Sequence, residues 1–172
     1  AAQLRQFGYN NDYLGFVALP TREDGVQRGL LCVNHEYVSS LLMQPGLAAT
    51  YPASMTKEVC LTEMAAHGGS VVEVELTAEG WKPVVGSSYN RRITAHTTPM
   101  KMTGPAAGHD RVKTTEEPSG LVVAGTMNNC AGGTTPWGTW LMAEENINGN
   151  FLGTLEEGHP EAENHKRFGV AG

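Results

Sequence analysis

The sequence predicts a mostly β fold, built from antiparallel strands with one short helix. Three observations lead there. Of 172 residues, 21 are glycine and only 17% are charged, which suits a loop-rich β protein better than a helical bundle or a disordered chain. Short apolar runs recur between polar or Gly/Pro-punctuated turns. Helical spacing is confined to one segment.

In chain order, Leu14 to Pro20 and Gly29 to Asn34 read as two strands of a hairpin joined by the polar turn Thr21 to Gly25. Between Thr56 and His67, the positions of Val59, Cys60, Met64 and His67 have helical spacing, and Gly68-Gly69 provides a stop. From Ser70 to Leu76, Val72, Val74 and Leu76 alternate with Glu73 and Glu75, predicting a half-exposed strand with the valines inward. Trp81 to Val85 returns antiparallel after a turn at Ala78-Glu79-Gly80. Asn90 to Pro118 reads as mostly irregular, and a loop of that length in a compact domain is usually functional or disordered. Strands resume at Leu121 to Met127 and Gly138 to Glu144, with Cys130 on the turn between them. Glu156 to Lys166 is polar and reads as exposed. The total is about seven strands, mainly in antiparallel pairs. No internal repeat is visible. The run Arg167 to Gly172 reads as the middle of a longer chain, not as an end.

The net charge is -6, with no basic block, which argues against nucleic acid as a partner. No apolar stretch has the length of a membrane-spanning helix, and no membrane partner is expected. Three cysteines, Cys32, Cys60 and Cys130, are too few and too scattered for a disulfide framework. Cys32 and Cys60 sit in apolar or helix-like runs and read as small buried hydrophobes. Cys130 differs, because its neighbours are polar and Gly-rich.

The groups able to do chemistry are few. Asn128-Asn129-Cys130-Ala131-Gly132-Gly133 is followed by Glu144-Glu145-Asn146, so one soft sulfur ligand and several hard oxygen ligands lie near the ends of one strand-like run. Such a mixture suits more than one kind of metal ion. Cys130 and Glu145 share an ion only if the chain folds back; otherwise Cys130 is a packed cysteine and the acids are solvated. In Asn34-His35-Glu36-Tyr37, alternation puts Asn34 and Glu36 on one face and His35 on the other. Asn34 and Glu36 are then a candidate oxygen-ligand pair, or a polar strand end satisfying backbone groups, and His35 orients a neighbour. Of Arg91 and Arg92, one can face a site and clamp a phosphate with its planar fork; the competing reading is two structural ion pairs. Gly104 to His109 lacks the Gly-Lys-Ser/Thr of a phosphate loop and reads as a rigid turn. No His-Glu-x-x-His or Gly-x-Ser-x-Gly pattern occurs, which removes zincin and serine-hydrolase readings. His67 is expected to interact with the last carbonyls of its helix.

Six blocks, taken in order, resemble the PhoX-type alkaline phosphatases: Gly8 to Tyr13, Leu31 to Tyr37, Glu63 to Gly68, Tyr89 to Thr94, Gly104 to His109, and Asn128 to Asn146. The resemblance implies a phosphomonoesterase dependent on iron and calcium, on a six-bladed β-propeller. It also implies periplasmic or extracellular location after folded export by the twin-arginine machinery, with small phosphate esters as substrates. Cys130 takes the role of thiolate ligand to iron; Glu36 and Glu145 are carried over as iron or calcium ligands, with Glu144, Asn34 and Asn146 as further metal ligands and Arg91 or Arg92 as the catalytic phosphate clamp. Because family members are several times longer, residues 1–172 correspond to a partial propeller domain, truncated at both ends, of about two blades with insertions. The alternatives are a non-catalytic calcium-binding propeller segment and a phosphodiesterase on the same scaffold. The fragment alone is expected to be inactive, since further ligands would come from later blades.

Overall fold

Residues 2–47 and 53–170 are described by a computed structural model. The last two residues of the terminal run, 171 and 172, lie outside the described residues. The chain is mostly β and all its strand pairing is antiparallel among the described residues. β1 (Asn11–Leu19), β2 (Arg28–His35) and β3 (Gly68–Thr77) run side by side in that order in a five-stranded sheet, with β1 at one edge. The other edge is shared by two short strands, β4 (Gly80–Pro83) and β5 (Arg91–Ile93), which pair with different halves of β3. Where neither reaches, the Asn90 side chain accepts from the Glu73 backbone N–H at 2.8 Å and so completes the ladder. Two small hairpins complete the β structure: β6 (Pro99–Lys101) with β7 (Val122–Ala124), and β8 (Asn129–Thr134) with β9 (Trp140–Glu144).

Among the described residues three α-helices accompany the strands: α1 (Ser40–Met43), α2 (Lys57–Ala66) and α3 (Ala162–Phe168). The sequence predicts only α2. Its start has a physical cause, since Thr56 Oγ1 accepts from the Val59 N–H at 3.3 Å. α3 falls in the stretch expected to be merely polar and exposed. It ends on Gly169 in the left-handed conformation, whose N–H reaches the Lys166 carbonyl at 3.3 Å.

Register shows how the sheet is filled. Residues paired across neighbouring strands share a face, so Cys32, Asn34, Gly69, Val71, Glu73 and Arg91 lie on one side, and Val33, His35, Ser70, Val72 and Arg92 on the other. The β8–β9 hairpin packs on the first side. There Gly69 admits the Trp140 ring: a Cβ on residue 69 would lie 2.5 Å from its Cη2. Close approach of this kind needs a residue without a side chain.

Several expectations are corrected. Within the alternating stretch Val72 to Leu76, Glu73 and not Val72 or Val74 is buried. Its carboxylate is held by Arg28 Nη1 at 3.1 Å and by the Ser87 hydroxyl, so its burial is compensated. Cys32 is buried but Cys60 is exposed, because α2 buries its last residues, Ala65 and Ala66, and not its middle. The segment from Asn90 to Pro118 contains β5, β6 and a 3-10 turn at Asp110–Val112. Gly104 to His109 is a rigid turn, tied by His109 N–H to Ala106 O at 3.0 Å and Gly108 N–H to Gly120 O at 2.9 Å. Cys130 lies within β8 and not on a turn; the reversal falls later, where Thr135 N–H donates to Thr139 O at 2.9 Å.

Candidate metal centre

The hairpin formed by β8 and β9 resolves the distance problem posed by the sequence. Asn129 pairs with Glu144, and Glu145 N–H donates to Asn128 O at 3.0 Å. The start of β8 and the end of β9 are therefore neighbours, and the chain folds back so that Cys130 and Glu145 meet at one end of the hairpin.

Two bulges then turn side chains toward a common point. Regular pairing of β1 with β2 stops at Asn11↔His35 and resumes at Leu14↔Val33. Asp12 and Tyr13 thus face the single residue Asn34. In β8, pairing stops at Asn129↔Glu144 and resumes at Gly132↔Met142, so Cys130 and Ala131 both face Ala143. Setting two residues against one bends a strand and re-aims its side chains. Asn34 links the two irregularities: its amide Nδ2 donates to Cys130 O at 2.9 Å and Ala131 O at 3.1 Å. Its Oδ1 is buried and has no partner.

The result is a trio. One ligand atom from each of Asp12, Glu36 and Cys130 lies within 4.8 Å of the others. Cys130 Sγ–H donates to Asp12 Oδ2 at 2.8 Å. That hydrogen bond, with desolvation and the negative charges of Asp12, Glu145 and Glu36, pushes the Cys130 thiol up to about 12. Desolvation raises Glu36 above the usual carboxylate range, and the charges of Asp12 and Glu145 add to the effect. Every charge acting on these two groups is negative. The Cys130 thiol with the Asp12 and Glu36 carboxylates, and Glu145 nearby, is a donor set suited to cations, with a soft atom and hard oxygens combined. The residues present fit a metal site on these grounds.

Of the remaining candidates, Glu145 lies beside the trio, with Asn146 bonded to it, and Glu144, Arg91 and Arg92 are engaged elsewhere. Glu145 is near enough to act electrostatically on both Glu36 and Cys130. Asn146, left-handed at φ 49°, donates to Glu145 Oε1 at 2.5 Å. Glu144 turns elsewhere, accepting from Thr126 Oγ1 at 2.8 Å and the Met127 N–H at 2.9 Å. Arg91 is exposed, and its Nη1 donates to Tyr89 O at 3.0 Å. Arg92 is committed to backbone: Nη1 to Gly69 O at 2.6 Å, and Nη2 to Ala65 O at 2.9 Å and His67 O at 3.1 Å. Burial lowers its guanidinium to about 10. Neither arginine forms an ion pair among the described residues, so two structural salt bridges are not what holds them.

His67 does not serve its own helix. Its Nδ1 lies 2.7 Å from Glu36 O, tying the end of α2 to the strand end that carries Glu36. Burial pushes it below the ordinary histidine range, a shift that the Glu36 contact partly opposes. Sequence reasoning missed Asp12 altogether. The signal was present, for Asp12 lies in the block Gly8 to Tyr13, but simple alternation cannot show which way a residue in a bulge points.

The family model for alkaline phosphatase PhoX matches residues 1–172. Among solved structures, the chain is similar to Pseudomonas fluorescens PhoX in complex with vanadate, a transition state analogue. The two are 37% identical with a TM-score of 0.83, over 99% of this chain and 28% of that one. The chain therefore spans just over a quarter of that relative's length. Comparison with curated proteins gave no match.

Proposed function

This chain belongs to the alkaline phosphatase PhoX family, and from that premise we propose that it contributes the cysteine-bearing part of a metal centre that hydrolyses phosphate monoesters. The observation that carries the reading is the convergence of Asp12, Glu36 and Cys130 within 4.8 Å from three strand regions distant in sequence. The relative's complex with vanadate, a transition state analogue, supports phosphoryl chemistry as the class of reaction.

Asp12, Glu36 and Cys130 would hold the cations, with Glu145 completing the negative wall and Asn34 Oδ1 offering a neutral oxygen. Ferric iron and calcium, when bound, would supply Lewis acidity toward the phosphoryl group and neutralise its oxygens. The chain's own residues have separate tasks. Cys130 would bind a cation as the thiolate, its proton passing to solvent, and Asp12, which accepts that thiol's hydrogen bond, would then be free to ligate. Asn34 fixes the Cys130 backbone through its two carbonyl contacts. Arg91 is the more exposed and less engaged guanidinium of the Arg91-Arg92 pair and the better candidate to reach a phosphate. Arg92 is engaged in holding the end of α2.

The family resemblance supports placing residues 1–172 as about two blades of a six-bladed propeller, with other ligands from later blades. It likewise supports export by the twin-arginine route to the periplasm or outside the cell. The test is made on the intact protein. Hydrolysis of a simple aryl phosphate monoester should be faster than that of the matching diester, be blocked by vanadate, and be lost on chelation. Preference for the diester would favour a phosphodiesterase, and stoichiometric calcium without turnover would favour a structural segment.

A further inference from the structure

The bulge that presents Asp12 ends at the pair Asn11↔His35, and His35 is fully buried there. Its Nδ1 is 2.7 Å from Asn11 Oδ1. A carboxamide oxygen only accepts, so Nδ1 carries the proton. Nε2 then accepts, from the Ser70 hydroxyl at 2.6 Å and from the Gly8 N–H at 3.4 Å. Having given its proton to His35, Ser70 Oγ is free to accept from Arg92 Nη1 at 3.2 Å. The hydrogen bonds thus run in one direction, from Arg92 through Ser70 and His35 to Asn11, the residue before Asp12. The ring has little freedom. The Phe7 ring stands edge-on to it, 4.6 Å between centroids, and a Cβ at Gly8 would fall 2.4 Å from His35 Cγ.

We propose that His35 is a positioning residue for the metal centre. Through Asn11 it pins the β1 bulge and so sets where the Asp12 carboxylate stands against Glu36 and Cys130. Arg92, through Ser70, is part of the same chain of bonds. The inference rests on reading the trio as a metal centre, and its test separates the two. Partners one step behind a metal ligand typically change affinity by about 10- to 100-fold.

The intact protein is stripped of metal and titrated with calcium and with ferric citrate, alongside Asn11→Ala, His35→Asn, His35→Gln and Asp12→Asn. Asn11 is exposed, so its truncation removes the acceptor without opening the core. Asn11→Ala should lower metal affinity about tenfold while the metal-free protein still unfolds in urea as one cooperative transition. His35→Asn keeps a donor near the place of Nδ1 and should bind metal more tightly than His35→Gln, whose amide falls near Nε2. If Asp12→Asn weakens binding while Asn11→Ala stays within about twofold of the parent, the positioning role is overturned and the metal centre stands. If Asp12→Asn has no effect either, both readings fall.

Discussion

Cys130 concentrates the chemistry of the centre in one proton. Its thiol, hydrogen-bonded to Asp12 and surrounded by carboxylates, is pushed up to about 12, and a sulfur ligand must be deprotonated to bind. Metal uptake should therefore release protons, and affinity should rise with pH. Titrations of the stripped intact protein across about pH 6 to 9 would show this; a flat profile would contradict it. A second residue-scale feature is backbone conformation. Among the described residues, the three non-glycine residues with positive φ, Asn10, Asn128 and Asn146 (φ 43°, 52° and 49°), flank Asp12, Cys130 and Glu145. Asparagine tolerates this region far better than other side chains. Asn128→Ala should cost about 1–2 kcal/mol and Asn128→Gly less, as read from denaturant midpoints.

Elements rather than single residues decide what was legible. The β1–β2 hairpin, the β3–β4 return and α2 were readable because each is set by local periodicity and a nearby turn or cap. The position of Cys130 was not. Its glycine neighbours suggested a turn, yet pairing with β9 makes the same residues a strand, and only the partner strand shows this. Asp12 was hidden by a bulge, which breaks the two-residue alternation on which inward and outward are judged. Glu73 was misassigned because Arg28, Ser87 and Asn90, all distant in sequence, make its burial tolerable. Arg92 is best understood at this scale, as the brace for the end of α2. Arg92→Met removes charge-assisted bonds to three backbone carbonyls and should lower stability by about 1–3 kcal/mol. A thermal midpoint equal to the parent's would refute that role.

For the whole molecule, two buried histidines make folding sensitive to acid. Burial, with the Arg92 charge adding, lowers His35 to about 3, and burial also lowers His67. Each binds its proton more readily in the unfolded chain. The stability they contribute is complete above their ordinary value near 6.5 and is lost as pH falls toward the depressed values. The metal-free intact protein should lose up to a few kcal/mol on going from neutral pH to about pH 4. Urea unfolding at both pH values checks this, and His35→Asn should flatten the dependence. The candidate site was only partly readable because it is assembled from β1, β2 and the β8–β9 hairpin. The six blocks gave its cysteine and one carboxylate; the fold supplied the third member.

Metal analysis of the intact protein beside its Cys130→Ser variant tests the central claim most directly. The account predicts iron and calcium in the parent and loss of the iron in the variant, with the fold retained. A parent that carries no iron under conditions of full loading, or a variant whose metal content matches it, would contradict the account.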